Sequence, residues 1–180
     1  MLEIIDEQLC SLLNIYQRCG VRYRFFDAEQ AGSDLTLHRA AVISAVKAEN
    51  GGSCGGDPAH MEAVALEPSQ LLYVPEILKN DKYGNTVYGC AWENPNNGGR
   101  IPYWYAFLEP PCRSGYKPAD FVRINSALFP HGTALLEVFE WSTDWSDYFD
   151  DGREWWGTGC WSVFDPQQDR FTVIIASETD

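Results

Sequence analysis

The sequence predicts an α+β fold, with N-terminal helices packed on a mainly antiparallel sheet formed largely by the C-terminal half. Three observations predict it. Apolar residues recur at three- and four-residue steps early in the chain, β-rich runs bounded by polar turns fill its last quarter, and no βαβ alternation joins the two. With 180 residues and 45% hydrophobic content, the chain is long enough for one core and short for two. The expectation is a single globular domain over residues 1–180.

Leu2, Ile5, Leu9, Leu12, Leu13 and Tyr16 share one helical stripe, so residues 2–19 read as a helix that Gly20 ends. Val21–Phe26 is rich in β-formers and reads as a short strand. Asp34 is placed to cap a helix through Glu49, with Leu35, Ala41, Val42, Ala45 and Val46 inward and Asn50-Gly51-Gly52 as its stop. The Gly51–Pro58 stretch is glycine-rich loop, and short helices are expected over 58–66 and 68–78, the second interrupted by Pro75.

Asn94–Gly99 reads as a loop, and Tyr103–Leu108 as a buried strand or helical turn that pattern alone does not separate. Pro118 suits the first turn of a helix through Leu128, with Phe121, Ile124, Asn125 and Leu128 on one side and Pro130 beyond its end. Residues 134–141, 160–164 and 170–176 read as strands. The polar run Asp165–Asp169 makes the last two an antiparallel hairpin, joined in the sheet by 134–141. Val173 and Ile175 face one way and Ile174 the other, so this last strand is expected to be covered on both faces.

The formal charge is −13, from 26 acidic and 13 basic side chains. That field repels nucleic-acid phosphates and anionic membranes, and favours a basic protein partner, cations or plain solubility. The start of the chain is acidic where a signal peptide is basic, and no run approaches the roughly 18 apolar residues of a membrane span. These features lead to an expected cytoplasmic location, with the six cysteines held as thiols.

Residues 137–156 stand out. Glu137, Glu140, Asp144, Asp147, Asp150, Asp151 and Glu154 alternate there with Phe139, Trp141, Trp145, Tyr148, Phe149, Trp155 and Trp156, and Arg153 is the lone base. Aromatic anchors supply contact area at low entropic cost, and carboxylates steer a basic partner. The candidate binding residues are Asp144, Trp145, Asp147, Tyr148, Asp150, Asp151, Glu154, Trp155 and Trp156. A second reading stands beside this one: positions 145, 148, 149 and 156 sit at roughly helical steps, as the inward face of a packed turn would.

No metal or cofactor is expected. Asp147, Asp151 and Gly152 echo a calcium loop, but Phe149 fills a ligand position and Thr158 stands where the closing glutamate belongs. Cys-x-x-Cys and His-x-x-x-His pairs are missing, as are the Walker, dinucleotide-binding and His-Glu-x-x-His signatures. Cys54, among glycines and six positions before His60, invites a nucleophile reading that no basic neighbour supports. Small, acidic, with aromatic-rich acidic loops and no catalytic motif, the chain resembles in composition bacterial immunity proteins and other inhibitors of basic toxins. The function expected is a non-catalytic acidic protein-binding domain. The alternative is a hydrolase of a polar substrate such as a glycan, which pairs two carboxyl groups of the 137–156 region.

Overall fold

The computed structural model describes residues 1–29, 32–74, 76–80, 86–89, 100–111 and 115–178. Helix α1 spans Glu7–Ile15, strand β1 Val21–Asp27 and helix α2 Leu35–Glu49. Strand β2 (Ala63–Leu66), helix α3 (Pro68–Leu71) and the hairpin β3 (Glu76–Asn80) and β4 (Thr86–Gly89) follow. Helices α4 (Tyr103–Leu108) and α5 (Pro118–Leu128) lead to strand β5 (Glu137–Trp141), helix α6 (Asp150–Trp155) and strands β6 (Thr158–Asp165) and β7 (Arg170–Ser177). The fold is α+β, with most of the sheet in the C-terminal half.

The sheet has five antiparallel strands in the order β1-β7-β6-β5-β2. β6 and β7 form the expected hairpin, with Trp161 opposite Ile174 and Val163 opposite Thr172. β7 also pairs from Arg170 to Ala176 with β1, so it is bonded on both edges. Side-chain alternation then sends its residues into two cores. Ile174 and Ala176 join Trp161, Val163, Val138 and Phe25 under α1, α4 and α5. Phe171, Val173 and Ile175 join Cys160, Phe164 and Trp141 under α2. Val163, Val173, Ile174 and Ile175 have no solvent exposure, as a strand covered on both faces requires.

The long helices start where their caps are. The Asp34 carboxylate accepts from Leu37 N at 2.8 Å, and Asp6 accepts from Gln8 N and Leu9 N at 3.0 Å each. Such caps are worth about 1 kcal/mol. The Asp6 cap also corrects the expected helix over 2–19. Upstream of it the chain is extended, with Ile4 N donating to Phe25 O and Leu2 O accepting from Asp27 N, so it runs beside β1 instead. α5 ends on a satisfied carbonyl: Leu128 O accepts from Arg170 Nη2 at 2.6 Å and from Gln168 Nε2 at 3.0 Å.

Two other expectations are corrected. The helix expected over 58–66 is a single 3₁₀ turn at Pro58–His60 followed by β2, because the edge of β5 offers Ala63–Leu66 a ladder to join. The helix expected over 68–78 stops at Leu71, and Glu76 already belongs to β3; Pro75 lies outside the described residues. Tyr103–Leu108 resolves as a helix, with five of its six residues buried. The Asn94–Gly99 loop lies outside the described residues. Among the described residues, no helix is long and apolar enough to cross a membrane.

Candidate functional site: an acidic ledge beside a charged cleft

β5 ends at Trp141, and the chain then crosses the end of the sheet to re-enter it at β6. Every few residues of this crossing are tied down. Ser142 N donates to Glu62 O at 2.9 Å, and the Thr143 and Thr158 hydroxyls bond at 2.7 Å. The glycine-rich loop docks next: Asp147 N donates to Gly55 O at 2.8 Å, Asp57 N donates to Trp145 O at 3.0 Å, and Ser146 Oγ donates to Cys54 O. Both glycines are required there. A Cβ on Gly55 would overlap the Asp147 carboxylate, and one on Gly56 would overlap the Trp145 carbonyl. Two segments some ninety positions apart in sequence thus form one surface.

Ser146 then caps a 3₁₀ turn at Asp147–Phe149, which runs directly into α6. α6 lies against β7, where a Cβ on Gly152 would meet Ser177 Oγ at 2.6 Å. Asp150 and Asp151 occupy its first turn, where carboxylates complement the exposed N–H groups.

This geometry divides the nine candidate residues. Asp144, Asp147, Asp150, Asp151 and Glu154 are all exposed. Trp145 is not: it is 3% exposed and packs edge-to-face with the fully buried Phe149 at 6.2 Å between centroids. The expectation that Trp145 anchors a partner is therefore corrected, since its ring lies in the core under the crossing with Trp141 and Phe149. Tyr148 is half-buried against Phe149. Trp156 is half-buried too, its indole N–H donating to Glu109 O at 3.0 Å and its ring stacked on Tyr105. The Trp155 side chain lies outside the described residues. Arg153 is held inside the ledge, donating to Thr143 O at 2.9 Å and pairing with Asp150 at 3.3 Å.

Behind the ledge opens a cleft of about 680 Å³, within the roughly 300–1,000 Å³ usual for ligand sites. Arg100, Tyr103, Glu140, Asp144, Arg153 and Trp161 line it, among others. Glu140 lies opposite Trp161 across β5 and β6, on the face that otherwise carries Val138 and Val163. Burial raises its carboxyl above the ordinary value, while the Arg100 charge and a hydrogen bond from the Trp161 indole act in the opposite direction. Trp161 is itself fixed, because its ring lies over Gly159, where any Cβ would collide with it.

Of the cleft residues, the sequence marks Asp144 as a binding candidate and Glu140 only as one of the 137–156 carboxylates open to the hydrolase alternative, while Arg100, Tyr103 and Trp161 carry no site signal in it. The available signal was Glu140 itself, a carboxylate two positions after Val138 on the same face of a strand.

Cys54 and His60 are not brought together. The Cys54 thiol points to Gly56 O at 3.6 Å, and the exposed His60 ring faces Asp57 at 3.9 Å. Cys10, Cys19, Cys54 and Cys160 are free thiols, and Cys90 and Cys112 lie outside the described residues. Burial raises the Cys19 thiol to about 11 and Cys160 further still, so both are poor nucleophiles. Among the described residues, no three His, Cys, Asp or Glu side chains converge as a metal site. Searches of protein-family models, characterised proteins and solved structures return no match to the chain.

Proposed function

We propose that the chain is a non-catalytic acidic binding protein, of the inhibitor or immunity type, that engages a basic protein partner through the 144–154 ledge. One observation carries the reading: five exposed carboxylates stand on a segment whose backbone bonds Gly55 and Asp57 and whose Thr143 hydroxyl bonds that of Thr158. A pre-ordered acidic surface loses little entropy when a partner arrives. The net charge of −13 extends the same field beyond the contact and supports fast encounter with a basic protein. The anchoring role moves from Trp145 to the half-buried edges of Tyr148 and Trp156.

The test is carbodiimide labelling of exposed carboxyl groups, with and without the partner recovered from the source cell. The partner should be basic, and Asp147, Asp150 and Asp151 should be protected in the complex. A partner that leaves all three fully labelled contradicts the reading.

A second reading is favoured by one feature, the cleft in which a raised Glu140 carboxyl and Asp144 both stand. A hydrolase uses such a pair, one carboxyl as acid and the other as base or nucleophile. Turnover of an oligosaccharide that is lost in Glu140→Gln would favour hydrolysis over binding.

A further inference from the structure

We infer that the cleft behind the ledge receives one arginine side chain of the basic partner, with Glu140 as its acceptor. This inference rests on the basic-partner reading and names the contact that would give it specificity. The cleft and ledge are continuous, since Asp144 and Arg153 belong to both. A chain lying along the ledge therefore has an opening beside it.

The chemistry of the cleft selects the occupant. Glu140 is half-buried, and among the described residues no cation lies within ion-pair distance of it. A carboxylate left without such a partner bears the cost of partial desolvation, which an incoming cation relieves. The Trp161 indole N–H orients the carboxyl group, leaving acceptor capacity for a planar donor. Guanidinium suits this better than ammonium, because it is weakly hydrated and binds carboxylates in a two-pronged fork. Apolar walls from Leu66, Leu71 and Ile101 would take the methylene stem.

The two arginines of the cleft do not make it an anion site. Arg153 is already committed to Thr143 O and Asp150. Arg100 is exposed, and its field reaches Glu140 without closing an ion pair. Its positive field opposes a second cation at the Glu140 carboxylate. This gives a signed expectation: removing Arg100 should strengthen binding of a cation and weaken binding of an anion.

The probes are N-acetyl-arginine amide, its neutral citrulline counterpart, and a tetra-arginine peptide, each titrated into the full-length protein and followed by NMR at the Trp161 indole N–H. The arginine amide should shift that signal saturably and the citrulline amide should not. Glu140→Gln should weaken the effect about tenfold, as expected for a lost charge-assisted hydrogen bond. Arg100→Gln should strengthen it. The triple variant Asp147→Asn, Asp150→Asn, Asp151→Asn should weaken the tetra-arginine peptide more than the single arginine amide. Chitotetraose serves as the neutral sugar control. An unmoved Trp161 signal, an equal response in Glu140→Gln, weaker binding in Arg100→Gln, or a shift with chitotetraose alone overturns the inference. If the peptide binds and the arginine amide does not reach Trp161, the cleft inference fails and the ledge reading stands. If the peptide does not bind at all, both fail together.

Discussion

His38 Nδ1 lies 2.8 Å from the Ser162 hydroxyl, in a layer sealed between α2 and the sheet. The same hydroxyl accepts from the Trp141 indole N–H at 2.8 Å, so Ser162 ties His38 to Trp141. Among the described residues, the buried Nε2 on the other side of the ring has no hydrogen-bond partner. The ring packs edge-on against Phe139 and Phe171, and burial lowers its pKa from 6.5 to about 4. Because the native pKa is the lower one, the unfolded chain takes up the proton first as pH falls. Stability from this group is complete above pH 6.5 and declines toward pH 4, by about 3 kcal/mol in all. Urea denaturation across this range should show a decline that His38→Leu flattens. Parallel pH profiles for the two proteins would contradict the lowered pKa of His38.

Glu140 predicts the opposite slope. Its carboxyl is raised in the fold, so the group favours folding at low pH and opposes it once ionised. Glu140→Gln keeps the shape and removes the charge. The variant should be more stable than the parent at pH 7, with the difference closing below the ordinary carboxyl range. A destabilised Glu140→Gln at pH 7 would mean that the charge is satisfied in the fold after all.

The docking of the glycine loop sets a third expectation. Gly52 has positive φ but nothing within 4 Å of a Cβ, so alanine there costs only backbone strain, about 1–2 kcal/mol. At Gly56 a Cβ runs into the Trp145 carbonyl, and alanine must separate the loop from the ledge, at about 2–4 kcal/mol. Thermal denaturation of the two variants should rank them in that order, and equal losses would show that the docked loop adds nothing.

β7 is bonded to β1 on one edge and β6 on the other, and it supplies both cores. A chain ending at Asp169 should therefore show no cooperative unfolding transition. A truncated protein that melts cooperatively would mean that the two cores assemble without it.

Local signals account for the parts of this fold that were legible before the structure. Asp34 with its apolar stripe marks α2, Pro118 marks α5, and β-branched runs around Asp165–Asp169 mark the β6–β7 hairpin. What failed depended on partners distant in sequence. Ala63–Leu66 has no strand pattern of its own and is a strand because β5 lies beside it. The acids of the ledge are exposed as their charge implies, but helical spacing does not say whether Trp145 faces the core or a partner. The cleft depends on distant partners in the same way, since its walls come from β2, α3, α4, β5, α6 and β6.

The most direct test of the central claim is the salt dependence of the association rate with the recovered partner, measured by stopped flow. The reading predicts fast association that slows steeply from about 50 to 300 mM salt, as screening shortens the reach of the ledge. In the triple variant Asp147→Asn, Asp150→Asn, Asp151→Asn, association at low salt should drop by about tenfold and its salt dependence should flatten. Dissociation should change less, because exposed pairs each hold only about 0.2–1 kcal/mol. If the triple variant instead associates at the parental rate with the same salt slope, the ledge is solvated surface and the partner binds elsewhere.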